Sequence, residues 1–516
     1  MQKIVIDPLS RIEGHLKVEA LVDSGVVKEA TVSGTLFRGF EIFLKGRDPW
    51  DAVRITERVC GVCPAVHGTA SAQNLDSALG VTSLVPHNAR LIRNLILGAN
   101  FIQSHILHFY ALAALDFVDV TAVADYAGND PNLQAVKTFI DRGALAPFVP
   151  RYEGDYRLTK EQNVELTGHY VQALRMRAIA HEALALFGGK MPHDVGMVPG
   201  GVVCAPTVDK IMAMVTKLRE ISEFTANVYL PDILAVAGAY PDYFEIGKGV
   251  GNYLAWGAFD EDLHADLTQR HRYFPNGAVI NGVVGKADPN DVFEHVKHSW
   301  FEDECAAQPA QGNTVPAPGK EGAYSWLKSP RFKGKAVEVG PLARTMVAYL
   351  SGNSGCKAEV DALLSVLDAT PAALQSVLGR HAARAIETKR LTGMMTEWAL
   401  ALKPGEPICV EAKVPASGSG FGCVDGPRGA LGHWIEIEDK RISRYQLVVP
   451  TTWNASPKDA DGVPGPIEQA LIGTAVKDAE NPFELGRIVR SFDPCLACAV
   501  HVLDAQRNLK GVIRIA

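Results

Sequence analysis

Two Cys-x-x-Cys pairs near opposite ends of the chain constrain its fold more than any other feature. The first pair is Cys60 and Cys63, the second is Cys495 and Cys498, and residues 64–494 lie between them. This spacing lets two sulfurs bind one metal ion, and soft thiolates favour zinc, iron–sulfur clusters and other soft transition metals. A single site on all four sulfurs requires a fold that brings the two ends of the chain together.

The spacing of the pairs leaves three kinds of site open. A structural four-cysteine zinc site usually has its pairs about 15–20 residues apart, so a small zinc ribbon does not fit this chain. A thioredoxin-like redox site uses one pair within a small α/β unit, and the second pair would then have no role. Zinc, a redox dithiol and another metal centre are therefore all considered, and the spacing favours another metal centre.

Composition and charge exclude several classes of protein. The 516 residues are 47% hydrophobic with a formal net charge of −7, which argues against a nucleic-acid-binding protein and its basic patch. The first residues contain no basic region followed by an apolar stretch, so we expect no secretory signal in this chain. Nine cysteines are an odd number in a long chain, which argues against a disulfide framework. We expect the cysteines outside the two pairs to be core thiols.

The longest segment without Lys, Arg, Asp or Glu covers residues 94–115. It contains several polar side chains, namely Asn94, Asn100, Gln103, Ser104, His105 and His108. These groups would be costly in lipid, so we predict one long buried core helix over residues 91–115 rather than a membrane span.

The pattern along the chain predicts an α+β fold that is predominantly helical. Alternating apolar residues on both sides of a turn at residues 23–25 predict an N-terminal hairpin. Thr159 and Gln162 resemble a capping box for a helix that ends at Gly188 and Gly189, and another helix is predicted over residues 371–402. The glycine-rich residues 417–422 are expected to be a flexible entry to two strands, 432–438 and 442–449. We expect a single domain over residues 1–516, with a central long-helix bundle and peripheral β-hairpins in the N-terminal and C-terminal regions.

A histidine follows each cysteine pair. His67 lies four residues after Cys63, and His501 lies three residues after Cys498. A histidine beside a thiolate can donate a hydrogen bond and tune it. A satisfied core histidine is an equally good interpretation of either residue taken alone.

Motifs at these positions and elsewhere resemble those of the nickel–iron hydrogenase large subunit. They are RIEGHL near the start, FRGFE at 37–41, RVCGVCPAVH at 58–67, PRGALGHW at 427–434, VVPTTWN at 448–454 and DPCLACAVH at 493–501. They span the whole chain in the order of the family, and the two cysteine motifs with their flanks are close to diagnostic.

The resemblance implies a nickel ion held by Cys60, Cys63, Cys495 and Cys498. Cys63 and Cys498 would also bridge to an iron, while Cys60 and Cys495 would be terminal ligands of nickel. The iron in this family carries carbonyl and cyanide ligands, which imply maturation factors, including nickel-insertion proteins.

The resemblance also assigns the surroundings of this centre. Arg428 and Thr451, with the backbone near Pro450, would donate hydrogen bonds to the cyanides, and Leu431 would pack against the carbonyl. Arg428 would also hang over the open site, although its use as a base would need strong desolvation because arginine stays protonated in proteins. A structural ion pair with Asp493 is the alternative for Arg428. The residues expected around the centre are His67, Pro427, Leu431, Pro450, Thr451 and Asp493.

Two further sites follow from the resemblance. Glu13 matches the proton gate of the family, which would take the proton first accepted by the terminal thiolate of Cys495 and carry it outward. An ordinary salt-bridged residue at a strand end is the alternative for Glu13. Glu41, His501 and the carbonyl of Leu447 match the ligands of a magnesium ion, for which iron is a possible substitute.

One departure from the family pattern lies at residue 104. Many relatives have His-Asp-His before the HFY triplet, whereas this chain has Gln103, Ser104 and His105 before His108. An acidic partner of Arg428 is therefore expected to be absent there. The run QSHILHFY resembles the selenium-containing branch of the family, yet residue 495 is an ordinary cysteine.

The resemblance implies partners and processing. A maturation protease would cut between His501 and Val502 and remove residues 502–516 as a propeptide. An iron–sulfur small subunit would receive the electrons in a heterodimer, and a membrane cytochrome b is a possible further partner. The small subunit would carry any export signal, which places the chain on the periplasmic side of the membrane, with the cytoplasm as the alternative.

The leading function is reversible cleavage of H2 to protons and electrons, in the direction of uptake. A hydrogen sensor on the same site is the second candidate, although such sensors often lack the cleavable tail. A subunit of a respiratory complex related to NADH dehydrogenase is the third, but that relative lacks the four cysteines. A zinc-stabilised scaffold is the last.

Overall fold

The computed structural model of the protein describes residues 1–496, apart from the side chain of Pro147. Within that range the chain forms 14 α-helices and six small β-sheets. The prediction of a mixed fold with many helices is therefore confirmed. Cys498, His501 and the predicted cleavage site before Val502 lie outside the described residues.

The helices differ widely in length, from single turns to a helix of 29 residues. They are α1 Phe40–Phe43, α2 Asp51–Glu57, α3 Pro64–Ala78, α4 His87–Leu107, α5 Pro131–Asp141, α6 Lys160–Gly188, α7 Val208–Phe224, α8 Leu230–Ala239, α9 Pro341–Leu350, α10 Ser354–Val366, α11 Val377–Leu400, α12 Pro450–Asn454, α13 Pro466–Leu471 and α14 Phe483–Ser491.

Four of the longer helices, α4, α6, α7 and α11, pack against one another. The capping box of α6 is confirmed, because Thr159 Oγ1 accepts a hydrogen bond from the backbone of Gln162 and the Gln162 side chain returns one. The predicted start of α11 at residue 371 was wrong. Residues Pro371–Leu374 form a separate 3-10 turn, and α11 begins at Val377 because Ser376 caps its first turn.

The predicted apolar helix over residues 91–115 is α4 followed by a π-helical turn, His108–Ala113, and a 3-10 turn, Ala114–Asp116. His87–Asp116 is long and apolar enough to cross a membrane, but 83% of its most apolar window is buried inside the protein. Its polar residues Asn100, Gln103 and Ser104 are fully buried. The burial supports the interpretation as a core helix.

The strands are short except at the two ends of the chain. They are β1 Gln2–Ile6, β2 Leu16–Asp23, β3 Val26–Gly34, β4 Met197–Val198, β5 Gly201–Val202, β6 Tyr253–Ala255, β7 Ala258–Asp260, β8 Arg272–Phe274, β9 Gly277–Ile280, β10 Val283–Gly285, β11 Val292–His295, β12 Ser329–Phe332, β13 Ser417–Gly426, β14 Gly429–Glu438 and β15 Arg441–Val448. Strands β4–β12 form small sheets in the middle of the chain, which the prediction of terminal hairpins did not include.

The two terminal sheets are antiparallel, in the orders β1-β2-β3 and β13-β14-β15. The predicted N-terminal hairpin is confirmed as β2 and β3, and the two predicted C-terminal strands correspond to β14 and β15. The expectation of a flexible entry at residues 417–422 was wrong, because these residues belong to β13. A Cβ atom at Gly420 or Gly422 would overlap backbone atoms of α3, so the glycines let β13 pack closely against that helix.

Candidate metal centre

Three of the four predicted cysteines converge in the core. The sulfur atoms of Cys60, Cys63 and Cys495 all lie within 4.8 Å of one another, and these residues are the one group of candidate metal ligands found among residues 1–496. Cys60 Sγ is 3.4 Å from Cys495 Sγ, and the exposed fraction is 4% or less for each residue. The structure therefore brings the two ends of the chain together, as a shared site requires.

The first pair is presented by the loop between α2 and α3. Cys63 precedes the first residue of α3, Pro64, whose fixed φ suits a helix start. The backbone N–H groups of Val62 and Cys63 donate to Cys60 Sγ at 3.2 and 3.1 Å. Such hydrogen bonds favour a thiolate, which is the form that binds metal.

The segment that carries Cys495 is hydrogen-bonded to the N-terminal part of the chain. The backbone of Glu13 accepts a hydrogen bond from Leu496 at 2.7 Å and donates one to Pro494 at 3.4 Å, so residues 494–496 run parallel to the N-terminal segment. The N–H of Cys495 donates to Thr451 Oγ1 at 2.9 Å. Cys495 is thus fixed by two segments that are far apart in the sequence.

Glu13 lies directly beside the sulfur of Cys495. The S–H group of Cys495 is 3.1 Å from Glu13 Oε2, a hydrogen-bonding distance for sulfur. This contact is where a proton could pass between the thiol and the carboxylate.

Arg428 lies at the same site and is 2% exposed. Its Nε–H donates to the carbonyl of Asp493 at 3.0 Å, and its Nη2 is 2.9 Å from Asp493 Oδ1 in an ion pair whose angle is poor for a hydrogen bond. Burial disfavours the guanidinium charge, but Asp493 and the nearby cysteine thiolates outweigh it and raise the pKa of Arg428 well above its usual value. The ion pair with Asp493 exists, and the side chain is a permanent cation.

Ser104 faces Arg428 where many relatives were expected to have an aspartate. Arg428 Nη1 donates to Ser104 Oγ at 3.3 Å. The neighbouring Gln103 donates to the carbonyl of Val62, between the first two cysteines. Residue 104 therefore gives Arg428 a neutral partner, as expected, and Asp493 supplies the negative charge.

Of the other predicted neighbours, Thr451 is the one with a hydrogen bond to a cysteine of the cluster. Leu431 is fully buried on β14, and Pro450 is the first residue of α12. The carbonyl of Pro427 accepts a hydrogen bond from Arg344 at 3.1 Å. Thr451 Oγ1, expected to donate to an iron ligand, accepts from Cys495, and its own O–H remains able to donate.

A second group joins Glu41 to the segment around Leu447. Glu41 Oε1 accepts a hydrogen bond from the N–H of Leu447 at 2.9 Å, and Thr314 donates to Glu41 Oε2. Lys328 is buried nearby and pairs with Glu294 at 3.2 Å. Burial raises the pKa of Glu294 to about 7, and the adjacent charge of Glu41 adds to this shift. Glu41 and Leu447 do lie together, and the predicted third ligand, His501, is outside the described residues.

Among the histidines near the first cysteine pair, His67 was predicted from the sequence, whereas His193 and His433 were not. His193 Nε2 lies 3.1 Å from the carbonyl of Cys60, a role for which residues 190–196 gave no signal. His67 is fully buried, and its Nδ1 is 3.3 Å from His433 Nε2. His433 is part of the PRGALGHW motif, so the motif held a signal that was not used.

The donor set suits a soft transition metal. Three sulfurs meet at a buried position with hydrogen-bond donors and a fixed cation around them, and a fourth cysteine follows three residues after Cys495. Thiolates of this kind bind zinc, nickel or iron rather than magnesium or calcium. The residues present therefore fit a nickel–iron centre.

Comparison with known proteins identifies the family. A family profile described as nickel-dependent hydrogenase matches residues 38–501, and one described as HoxL-like matches residues 3–34. The chain is 42% identical over 523 residues to the periplasmic NiFeSe hydrogenase large subunit of Desulfomicrobium baculatum, covering 99% of this chain and 97% of the relative. It is 38% identical over 585 residues to the uptake hydrogenase large subunit of Bradyrhizobium diazoefficiens, covering 99% and 98%.

Solved structures agree with these relatives. The Ni-Fe-Se hydrogenase of Desulfovibrio vulgaris Hildenborough in the reduced state superposes with a TM-score of 0.85 at 41% identity, covering 97% of this chain and 100% of the other. The H2-activated NiFeSe hydrogenase of Desulfomicrobium baculatum gives a TM-score of 0.86 at 42% identity with the same coverage. The chain therefore belongs to the nickel-dependent hydrogenase family, as the catalytic large subunit of a nickel–iron hydrogenase, an oxidoreductase acting on H2.

Proposed function

We propose that this chain catalyses the reversible cleavage of H2 into two protons and two electrons, in the direction of hydrogen uptake. The observation that carries this proposal is the convergence of three buried cysteine sulfurs, within 4.8 Å of one another, against the carboxyl group of Glu13. The resemblance to an uptake hydrogenase large subunit supports the direction.

Cys60, Cys63, Cys495 and Cys498 would hold nickel, with Cys63 and Cys498 also binding an iron that carries carbonyl and cyanide ligands. A nickel–iron centre, when bound, supplies the redox-active metals at which H2 is split. Around it the chain provides donors of hydrogen bonds in Arg428, in the Thr451 hydroxyl and in the backbone near Pro450. Leu431 provides an apolar wall.

The protein moves the proton away through its own side chains. Cys495 Sγ accepts the proton released at the site and donates it to Glu13 Oε2, 3.1 Å away. Glu13 belongs to an N-terminal segment with exposed neighbours such as Ser10, which gives the proton a short way outward. A carboxyl group that changes protonation state is well suited to this transfer.

Arg428 acts as a fixed positive charge rather than as a base. Its guanidinium is tied to Asp493 and to Ser104, and the surrounding negative charges favour its protonated form. A cation held in place over thiolates stabilises negative charge at the site without any reorganisation. To act as a base, the guanidinium of Arg428 would first have to lose a proton, which the negative charge of Asp493 opposes.

A second metal ion would lie beside the C-terminal end of the described chain. Glu41, the carbonyl of Leu447 and His501 would hold magnesium, or iron in its place. Glu41 is already oriented by the N–H of Leu447, which supports a pre-formed carboxylate ligand. The metal would tie the mature C-terminus to β15.

An iron–sulfur small subunit would take the electrons and form a heterodimer with this chain. Leu36, Ile42, Phe43 and Trp50 are exposed apolar residues in the segment before the first cysteine pair, and they support a docking face there. A small subunit with an export signal would place the enzyme on the periplasmic side of the membrane, next to a cytochrome b. A maturation protease would cut between His501 and Val502.

The test is metal analysis of the purified heterodimer, combined with the intact mass of this chain. We expect nickel in an amount equal to the heterodimer and a mass ending at His501. Iron should be present in excess of nickel, because the clusters of the small subunit add to the iron of this site. Cys60→Ser should abolish nickel binding, whereas Cys356→Ser, at a buried cysteine on α10, should leave nickel content unchanged. Zinc in place of nickel, after co-expression with maturation proteins, would refute the proposal.

A further inference from the structure

Two of the cysteines outside the metal centre are not core thiols, contrary to the expectation from the sequence. Cys204 is half-buried in the segment between β5 and α7, and Cys409 is exposed. The other described cysteines outside the centre are buried, namely Cys305, Cys356 and Cys423. Within residues 1–496, Cys204 and Cys409 are therefore the thiols outside the centre that dissolved small molecules can reach.

A lysine lies directly against the sulfur of Cys204. Lys210 Nζ donates a hydrogen bond to Cys204 Sγ at 2.9 Å. Cys204 precedes Pro206 in the loop after β5, whereas Lys210 lies in the first turn of α7. The loop folds back between them, so that it brings a nucleophilic sulfur atom and a nucleophilic nitrogen atom into contact.

The helix itself does not explain why a lysine stands at residue 210. A cation in the first turn of a helix is opposed by the helix dipole. Lys217, farther along α7, pairs with the carboxylate of Glu182 at 2.5 Å, as a surface lysine often does. Lys210 instead directs its ammonium group to sulfur. The contact with Cys204 therefore accounts for this lysine better than the stability of α7 does.

The sulfur of Cys204 is held between two helices. It lies 3.6 Å from the carbonyl oxygen of Leu186 near the end of α6, to which its S–H group can donate. Lys210 reaches the same sulfur from α7. Since α6 and α7 pack against each other, the sulfur and nitrogen atoms are kept at a defined separation.

This separation suits a bridge of one oxygen atom. A distance of 2.9 Å leaves no room for a water molecule between Sγ and Nζ, because such a water would need a full hydrogen-bond length on each side. Sulfur and nitrogen that are both bonded to one oxygen are slightly closer than this. A direct bond between sulfur and nitrogen would require a much shorter separation, so the geometry favours the oxygen bridge.

We propose that Cys204 and Lys210 form a redox-sensitive crosslink, in which one oxygen atom joins Sγ to Nζ and dioxygen is the oxidant. The ammonium group first releases a proton to solvent. One S–H bond of the thiol and one N–H bond of the amine then break, S–O and O–N bonds form, and the second oxygen atom leaves as water. The two side chains supply the four electrons that reduce dioxygen. Under oxidising conditions the crosslink ties the loop after β5 to the first turn of α7.

The test is peptide mass spectrometry of the heterodimer, kept under nitrogen or incubated in air-saturated buffer, then alkylated and digested with trypsin. The reduced chain is cut after Lys190 and Lys210, which gives residues 191–210 with an alkylated Cys204. Trypsin does not cut after a lysine whose Nζ is bridged. The aerated sample should therefore give residues 191–217, not alkylated, with one oxygen atom gained and two hydrogen atoms lost. Excess dithiothreitol should restore the peptide 191–210.

Three variants distinguish the crosslink from general oxidation. Lys210→Arg keeps the positive charge but removes the amine, so it should abolish the crosslink. Lys217→Arg is the matched control on the same helix and should retain it. Cys409→Ser should also retain it, because Cys409 is the more exposed thiol and its sulfur lies near backbone carbonyl groups rather than a lysine.

Three results would overturn the inference. The first is an aerated sample in which Cys204 is still alkylated in the peptide 191–210. The second is a gain of oxygen on Cys204 without loss of hydrogen and with normal cleavage after Lys210, which would show an isolated oxidised thiol. The third is a crosslink that excess dithiothreitol leaves intact. None of these results bears on the proposed function, since neither residue belongs to the metal centre.

Discussion

Replacing Glu13 with glutamine should separate the splitting of H2 from the release of its proton. Glutamine has the size of glutamate, and the backbone bonds from Leu496 to residue 13 at 2.7 Å and from residue 13 to Pro494 at 3.4 Å do not depend on the carboxyl group. The fold and the position of Cys495 should therefore persist. The amide cannot accept a proton from Cys495 Sγ at 3.1 Å and pass it on.

The size of the effect follows from the role of the carboxyl group. Proton transfer by a positioned side chain contributes about 10²–10⁴-fold in rate. Since each tenfold change corresponds to about 1.36 kcal/mol of barrier, Glu13→Gln should raise the barrier by about 3–5 kcal/mol. We expect kcat for H2 oxidation with a viologen dye to fall by about 10²–10⁴-fold, with KM for H2 nearly unchanged because Glu13 acts after H2 has entered the site.

Two further assays test the reasoning, one with the spin isomers of H2 and one with deuterium exchange. Conversion of para-hydrogen to ortho-hydrogen needs only splitting and recombination, so it should continue in Glu13→Gln. Exchange of H2 with D2O needs the proton to leave, so it should fall in step with kcat. Glu19→Gln is the control, because it removes a carboxylate of the same N-terminal sheet that pairs with Lys3 and Lys17.

Either of two results would refute the argument for Glu13. A loaded variant with full kcat would show that the proton leaves by another group. A loaded variant that has lost para-hydrogen conversion as well as exchange would show that Glu13 is needed for splitting, not for proton release. The Glu19→Gln control should retain both activities.

Three further changes test the structure around the site. Arg344→Met should cost about 3–5 kcal/mol in thermal or denaturant unfolding, because it removes the cation bound to buried Glu387 at 2.7 and 2.8 Å and leaves His105 as the remaining partner of this carboxylate. Burial raises the pKa of Glu387, but the charge and hydrogen bonds of Arg344 outweigh this effect and lower the pKa to about 2. The carboxylate therefore contributes its full stability above the unfolded pKa of about 4.3, and this contribution is lost as the pH falls toward 2. Gly422→Ala should cost about 1–3 kcal/mol and reduce nickel content, since the added methyl group would overlap the Ala70 carbonyl on α3. Thr159→Ala should cost about 1 kcal/mol in unfolding by removing the cap of α6.

Each of these changes has a matched control. Arg175→Met breaks an exposed ion pair with Glu220 and should cost less than about 1 kcal/mol. Gly393→Ala adds a methyl group where no atom lies within 4 Å and should not lower nickel content. Thr207→Ala changes a residue before α7 whose side chain makes no capping bond. Equal effects of a change and its control would contradict the corresponding argument.

Sequence patterns predicted the local structure where one physical rule dominated. Alternating apolar residues predicted β2 and β3, and the reciprocal hydrogen bonds of Thr159 and Gln162 follow from the capping-box pattern. The prediction of a flexible segment at residues 417–422 was wrong because it considered only the flexibility that glycine gives to an isolated chain. Only the packing of β13 against α3 makes the same glycines necessary in a strand.

The site shows the same division. The spacing of the cysteine pairs favoured a metal site without excluding a redox dithiol, and the structure brings Cys60, Cys63 and Cys495 together. The nickel-ligand role of the cysteines and the role of Glu13 came from the resemblance of their motifs to a family. The assignments of Cys498 and His501 stay predictions, since these residues lie outside the described part of the chain.

The sequence by itself determined the chemistry of this protein, through the types of residue in its two cysteine motifs. The tertiary structure decided which partners those residues have: the parallel contact of Glu13 with Cys495, the ion pair of Arg428 with Asp493, and the link from His67 to His433. The physical reason is that side-chain type is a local property, whereas hydrogen bonds, burial and shifted pKa values depend on neighbours hundreds of residues away. Those neighbours are set by how α3, β14 and the two chain ends pack together.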